Sequence, residues 1–144
     1  MAAELVTVRP ASIADRDRVA ELVAKLGHSV PLDRAKYQES FSFALNDHDR
    51  TILSVAEAGG KVVGYSMTTI TPLLYSNGLS AQLQEIVVDD GVRVSGVGTA
   101  LVRAVETECE RRGVTQLTVA SRRAGGFYDR LGYSQQAEYM RRLF

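Results

Sequence analysis

Two glycines, Gly96 and Gly98, lie in one short stretch of the sequence, Arg93–Thr99. The segment before it, Gln82–Asp90, has the residues of a strand, and the segment after it has the apolar periodicity of a helix. A turn between a strand and a helix N-terminus presents N–H groups and roughly half a positive charge, which together bind phosphate oxygens. Gly96 and Gly98 allow close approach to the backbone because they carry no Cβ. The pattern therefore indicates a phosphate-binding site.

Three glycine-containing phosphate loops are candidates, and two of them do not fit. A P-loop requires a lysine after its last glycine, and no lysine lies near Gly98. A dinucleotide fingerprint requires a third glycine where Leu101 stands, and an acidic residue that is missing at the expected spacing. The third pattern, Arg/Gln-x-x-Gly-x-Gly/Ala, is present as Arg93-Val94-Ser95-Gly96-Val97-Gly98. The alternative is a tight strand–helix turn that binds no ligand.

A second motif follows, after a predicted helix and strand, and reads Ala124-Gly125-Gly126-Phe127-Tyr128-Asp129-Arg130-Leu131-Gly132-Tyr133. It is similar to the Ala-x-x-Phe-Tyr-x-x-x-Gly-Phe/Tyr segment of the Gcn5-related N-acetyltransferase (GNAT) family. With both motifs and the order of predicted elements, the chain resembles this family over nearly its whole length. The resemblance implies acetyl transfer from acetyl-CoA to an amine.

The resemblance also implies where acetyl-CoA binds. The N–H groups of the glycine loop would bind the pyrophosphate, and the pantetheine arm would pair with the backbone of the preceding strand. The thioester carbonyl would lie near the N–H of Ile86 or Val87, as in an oxyanion hole. The residues expected to bind the cofactor are Ile86, Val87, Val88, Arg93, Val94, Ser95, Gly96, Val97, Gly98 and Thr99.

Two side chains are candidates for proton transfer. Glu85 lies on the strand beside the expected thioester, where many family members carry an acidic residue, and it is the candidate base. By simple alternation it shares a face with Leu83 and Val87, whose apolar side chains would strengthen a carboxylate base. Tyr128 matches the family tyrosine that faces the sulfur of CoA, and it is the candidate acid. Ordered water in place of Glu85, and a structural tyrosine at 128, are the alternatives.

The acceptor site is less well marked. His28 lies in the connection between the first two predicted helices, and Tyr75 lies at the end of a predicted strand; both segments border the acceptor site in the family. No group of His, Cys, Asp and Glu has the spacing of metal ligands, so no metal is expected. Cys109 is expected to be a small core residue.

The elements that position these residues follow from hydrophobic periodicity and turn signals. Ser12-Ile13-Ala14-Asp15 resembles a capping box that opens a first helix, and Gly59-Gly60 marks a hairpin turn. The expected order is β-α-α-β-β-β-α-β-α-β, a mixed α/β sheet in a single domain spanning residues 1–144. The last strand is expected at Tyr133–Phe144, and in the family this region helps to wall the acceptor site. A second subunit in a homodimer is expected to complete that wall.

Composition limits the partners. The 144 residues carry a formal net charge of zero, which argues against a nucleic-acid partner or an anionic membrane. No apolar run approaches the roughly 20 residues that cross a bilayer. The single cysteine and an N-terminus without a secretion signal favour the cytoplasm. The expected function is acetyl-CoA-dependent transfer to a primary amine, of a small molecule, by direct attack in a ternary complex. The alternatives are an acyl-CoA-binding or regulatory module, and an enzyme for protein amines.

Overall fold

The computed structural model describes residues 5–26, 31–92, 95–121 and 126–144. Within them, five strands form one sheet in the order β1-β2-β3-β4-β5. Neighbours from β1 to β4 are antiparallel, and β5 is parallel to β4. The strands are β1 Thr7–Pro10, β2 Thr51–Ala58, β3 Lys61–Leu73, β4 Gly78–Val88 and β5 Gln116–Val119. This mixed sheet confirms the predicted fold class.

The described residues also form four α-helices, which are α1 Arg16–Val23, α2 Arg34–Asn46, α3 Val97–Arg111 and α4 Phe127–Arg130. The predicted cap of the first helix is present, because the Ser12 N–H donates to the Asp15 carboxylate at 2.8 Å. The predicted hairpin is also present, with Gly59 and Gly60 both at positive φ between β2 and β3. The element order is confirmed from β1 to α4.

The helices cover the two faces of the sheet, and each face has its own core. On one face, residues of α1 and α2 pack against strand residues that include Val55, Tyr65 and Val87. On the other face, α3 packs against β2, β3 and β4. Cys109 of α3 is buried in this second core, as predicted. The central strands are therefore covered on both faces, and β4 lies between the two helical layers.

The predicted last strand, Tyr133–Phe144, is wrong. This segment has no regular secondary structure, and β5 pairs only with β4 among the described residues. Its apolar residues come as adjacent pairs, Tyr139-Met140 and Leu143-Phe144, and all four are exposed. A half-buried strand needs apolar residues in alternation, so that one face is buried. Adjacent pairs put apolar side chains on both faces, and neither face is covered here.

No α-helix among the described residues has both the length and the apolar character needed to cross a membrane.

An ion-pair cluster fixes the end of β4 to α1. Asp89 accepts hydrogen bonds from Arg18 Nη2 at 2.7 Å and from Lys25 Nζ at 2.6 Å, and its carboxylate is largely shielded from solvent. Arg18 Nε also donates to the carbonyl of Val62 on β3. The hydrogen bond from Lys25, followed by that from Arg18, holds the pKa of the Asp89 carboxyl well below its usual range. The cluster therefore joins three elements directly before the glycine loop.

Asp89→Asn should lower the free energy of unfolding by about 1 kcal/mol at neutral pH, because Arg18 and Lys25 lose their anionic partner and the amide accepts through only one oxygen, in a partly solvated site. Since folding lowers this pKa, the stabilisation is complete above the ordinary value of 3.8 and is lost as the pH falls through the folded value. Urea unfolding across pH should show the gap between variant and wild type closing in acid.

Asp90→Asn is the matched control, because Asp90 is exposed and lies 3.5 Å from Lys25. We expect it to change the stability by less than about 0.5 kcal/mol. An equal effect of both substitutions would show that the cluster is not what stabilises this end of β4.

Candidate active site

β4 has a neighbour along only part of one edge. It pairs with β3 along its whole length, from Gly78 to Val88, but with β5 only from Ser80 to Leu83. β5 ends at Val119, directly opposite Leu83. The backbone of Glu85–Val88 therefore has no strand on that edge within the described residues. An open strand edge offers N–H and C=O groups to an amide-containing ligand.

A β-bulge sets the direction of Glu85. The register between β3 and β4 shifts between Met67 and Thr68, so that Gln84 has no paired residue opposite it. Because of this extra residue, Glu85 lies on the α1–α2 face, with its neighbour Val87. Leu83 lies on the α3 face. The prediction that Glu85 shares a face with both residues is correct for Val87 and wrong for Leu83, because simple alternation does not hold across a bulge.

A buried tyrosine contacts Glu85. The Tyr65 hydroxyl donates to Glu85 Oε1 at 2.7 Å, and Tyr65 is only 1% exposed. Burial, together with the neighbouring carboxylate, raises the pKa of Tyr65 far above its usual range. The phenol therefore stays protonated and remains the donor. Glu85 itself is half-buried, so one side of the carboxylate is held by the core while the residue still reaches solvent.

The glycine loop ends in the first turn of α3. Gly96 is the N-cap residue and has φ of +84°, in the left-handed region that favours glycine. The first N–H groups of a helix have no partner within the helix, so those of Val97, Gly98 and Thr99 are available to an anion. Ser95 and Gly96 are exposed, and Gly98 and Thr99 are half-buried. Arg93 and Val94 lie outside the described residues.

The second motif packs on the first. A Cβ built on Gly98 would lie 3.4 Å from Cζ of Phe127, which places this ring over the first turn of α3. Tyr128 follows, with its ring edge-on to those of Phe127 and Tyr133. The Tyr133 hydroxyl donates to Glu106 of α3 at 2.7 Å. The structure therefore brings the two predicted motifs together at one end of the sheet.

The two predicted acceptor residues are not brought to this site by any described contact. His28 lies outside the described residues. Tyr75 is exposed and its hydroxyl accepts from Gln116 Nε2 at 2.8 Å. Tyr75 comes before Gly78, the first residue of β4. Glu85 lies seven residues after Gly78, which is about 23 Å along an extended strand. Among the described residues, no group of three or more His, Cys, Asp and Glu side chains could hold a metal ion.

The sequence of residues 17–133 matches the Acetyltransferase (GNAT) family. The chain belongs to this family. The match covers both motifs, α3 between them, and the open segment of β4 before the first motif. No curated protein sequence matches the chain.

Solved structures share the fold at low sequence identity. A transcriptional regulator from Bacillus halodurans C-125 is 24% identical, with a TM-score of 0.88 over 97% of this chain and 100% of its own. A glucosamine-6-phosphate N-acetyltransferase from Arabidopsis thaliana is 21% identical, with a TM-score of 0.83 over 98% and 99%. A ribosomal-protein-alanine N-acetyltransferase from Brucella melitensis biovar Abortus 2308 is 18% identical, with a TM-score of 0.71 over 97% and 98%. These similarities show the fold of the GNAT acetyltransferase.

Sequence reasoning missed Tyr65 and the bulge at Gln84. Tyr65 lies in a buried strand among apolar residues, and a buried tyrosine usually needs a partner for its hydroxyl. That rule indicates that Tyr65 has a polar partner but does not identify it. The partner is Glu85 because the bulge turns this carboxylate toward the same face.

Gly98→Ala should weaken CoA binding without destabilising the fold. The new Cβ would make ordinary van der Waals contacts with Phe127 and Val88, and alanine favours the helix by roughly 1 kcal/mol. The same Cβ would lie where a phosphate approaches the first turn. We expect the melting temperature to stay level or rise while the Kd for CoA, measured by calorimetry, increases at least about tenfold, which is 1.4 kcal/mol.

Gly96→Ala is the comparison, because its positive φ strains any residue with a Cβ. It should lower the stability and the CoA affinity together. If Gly98→Ala bound CoA like the wild type, the first turn of α3 would not be the phosphate site.

Proposed function

We propose that this protein is an acetyl-CoA-dependent N-acetyltransferase that transfers the acetyl group to a primary amine of a small molecule, by direct attack in a ternary complex. The observation that carries the proposal is the position of Glu85 on the open segment of β4, which leads to the first turn of α3. In this arrangement a base, an open strand edge and an anion-binding turn follow one another along the chain.

Two parts of the site fit acetyl-CoA. The open edge of Glu85–Val88 matches a ligand that carries amide groups, and the proposed contacts are the backbone groups of Ile86, Val87 and Val88. The loop and first turn of α3 match a pyrophosphate, and its proposed ligands are Arg93, Val94, Ser95, Gly96, Val97, Gly98 and Thr99. Bound acetyl-CoA supplies the activated acetyl group, and the protein supplies orientation and proton transfer.

Glu85 is proposed to accept the proton of the attacking amine. As the amine nitrogen forms a bond to the thioester carbonyl carbon, one proton must leave the nitrogen, and the carboxylate takes it. An N–H at Ile86 or Val87 would stabilise the negative charge on the carbonyl oxygen. Tyr128 is proposed to assist the sulfur as the carbon–sulfur bond breaks. If it donates a proton, CoA leaves as the thiol and the phenolate regains a proton from solvent; if it donates only a hydrogen bond, CoA leaves as the thiolate and takes its proton from solvent. Glu85 then releases its proton to solvent.

The acceptor class is part of the proposal. A net charge of zero gives no long-range attraction to a polyanionic or polycationic acceptor, which favours a small amine. The glucosamine-6-phosphate N-acetyltransferase shares the fold across nearly its full length, and so does the ribosomal-protein-alanine enzyme. A protein amine is therefore the alternative acceptor. The regulator from Bacillus halodurans has the same fold, which keeps a non-catalytic acyl-CoA-binding module as the second class.

We propose a cytoplasmic location, without a nucleic-acid or membrane partner. Cys109 is a buried free thiol, and burial raises its pKa to about 11. A lone unreactive thiol of this kind suits a reducing compartment.

The function is tested by ligand binding and by thiol release. Acetyl-CoA at ~100 times its Kd should stabilise the protein by about 2.7 kcal/mol, seen as a raised melting temperature. CoA thiol should then be released with amines from a panel of amino acids, polyamines, aminoglycosides and peptides with free N-termini. No stabilisation by CoA or acetyl-CoA would exclude the cofactor assignment, and binding without amine-dependent release would indicate the binding module.

Two variants separate chemistry from binding in the same assay. Glu85→Gln should lower kcat by about 10²-fold, the effect of a general base, with little change in the Kd for CoA. Tyr128→Phe should slow transfer and keep the fold, because the ring contacts with Phe127 and Tyr133 remain possible. If Glu85→Gln kept both kcat and the pH profile, water would take over the role of base.

We also propose a homodimer in which residues 137–144 of each copy bind the other copy. A groove of about 440 Å³ follows the outer side of β5, between α3 and residues 131–136. Its floor includes Cys109, Val114 and Leu117, and the acidic residues Glu106 and Glu110 lie along it. The segment has exposed apolar side chains and basic residues, so its surface complements the groove. A strand added at this edge would also pair the open side of β5.

Met140→Glu should convert this dimer to a monomer, because it adds an acidic group to the exposed segment that is proposed to bind beside Glu106 and Glu110. Light scattering after size exclusion gives the mass directly. Leu74→Glu is the matched control, since Leu74 is equally exposed but lies at the β3–β4 turn. A wild-type mass of one chain at tens of micromolar would exclude the dimer.

A further inference from the structure

The buried Tyr65 hydroxyl and the half-buried Glu85 carboxylate form a donor–acceptor pair, and the proposed transfer chemistry assigns no role to Tyr65. The Tyr65 ring lies in the core with Val55, Val87 and residues of α1 and α2, and only its hydroxyl reaches a polar group. The bond of 2.7 Å joins β3 to the residue just after the bulge in β4. The backbone bulge and the phenol of Tyr65 therefore both fix the position of the Glu85 carboxylate.

Only one oxygen of Glu85 is engaged in this way. Tyr65 donates to Oε1, and among the described residues no other side chain donates to Glu85. A carboxylate accepts through both oxygens, so Oε2 remains available to another donor. Glu85 is also only half-buried, unlike its neighbour Val87. Glu85 is therefore held by the core through Oε1, while Oε2 can accept a hydrogen bond from a ligand.

From this arrangement we infer that Tyr65 is a positioning residue for the base, which holds Oε1 of Glu85 so that Oε2 receives the proton of the acceptor amine. The inference rests on the proposed role of Glu85. A fixed base removes the rotation of a flexible side chain from the reaction, and orientation of this kind contributes to rate.

The same core contains a second buried tyrosine, whose hydroxyl is hydrogen-bonded elsewhere. Tyr37 of α2 lies in the same core, and its pKa is raised to about 12, mainly by burial. Arg34 and Arg16 oppose this shift, while Asp17 and Glu85 add to it. Tyr37 donates to the backbone carbonyl of Arg16 at 2.6 Å, so its hydroxyl is engaged away from Glu85. It therefore provides a second buried phenol without the contact to the base.

The test compares Tyr65→Phe with Tyr37→Phe. Each substitution removes one buried hydroxyl from the same core and keeps the ring, so the losses of stability should be similar. Tyr65→Phe should lower kcat about tenfold and leave the KM for acetyl-CoA within twofold. Loss of the hydrogen bond leaves the Glu85 carboxylate free to rotate, which is the reason for the lower kcat. Tyr37→Phe should leave kcat close to that of the wild type, because the Tyr37 hydroxyl donates to Arg16 and not to Glu85.

A second readout does not depend on turnover. The side-chain carboxyl carbon of Glu85, assigned by its absence in Glu85→Gln, can be observed by ¹³C NMR at a fixed neutral pH with CoA present. Its resonance should move or broaden in Tyr65→Phe and not in Tyr37→Phe, because only Tyr65 donates to this carboxylate. An identical resonance in the wild type and Tyr65→Phe would overturn the inference, as would an equal change in both variants. If the proposed function failed instead, no amine would release thiol from the wild type, whereas the NMR difference would remain.

Discussion

The separation of β4 from β5 after Leu83 is the constraint on which the site depends. A strand in the middle of a sheet normally uses both edges, and its backbone groups are then unavailable to a ligand. Here β5 ends opposite Leu83 while β4 continues to Val88 along β3. The open edge is tolerable because the opposite edge and both faces of β4 are covered. The sheet therefore keeps its stability while exposing a few residues of an interior strand.

The β-bulge at Gln84 and the end of pairing with β5 lie in the same short stretch of β4. If Gln84 followed Leu83 in regular alternation, Glu85 would lie on the face of α3, in an apolar core. With the extra residue, Glu85 lies on the opposite face beside Tyr65. Bulges of this kind increase local twist and redirect side chains, and they are frequent at functional sites. The irregularity thus places the acidic side chain where the strand becomes accessible.

Local patterns in the sequence predicted most of the fold. Turn residues such as Gly59-Gly60 and the cap at Ser12 report local backbone geometry, so these predictions were correct. Gly96 has the positive φ that glycine favours before a helix, while the binding of a cofactor at this loop stays a prediction. The face of Leu83 and the partner of Tyr65 depend on a bulge between two strands, which no local pattern reveals. The segment at Tyr133–Phe144 was predicted as a strand from its local sequence alone, although strands form only where a neighbour offers hydrogen bonds.

The ion pairs at Asp89 have an electrostatic consequence for the loop that follows. Two carboxylates, Asp89 and Asp90, come directly before a turn suited to phosphate, and uncompensated negative charge there would repel a polyanion. Lys25 and Arg18 offset the negative charge of Asp89, and Lys25 also lies beside Asp90. Cations on α1 and in the turn after it therefore affect how strongly the loop attracts phosphate, although they need not contact the phosphate themselves. This screening would weaken as salt rises, although less for the shielded Asp89 than for the exposed Asp90.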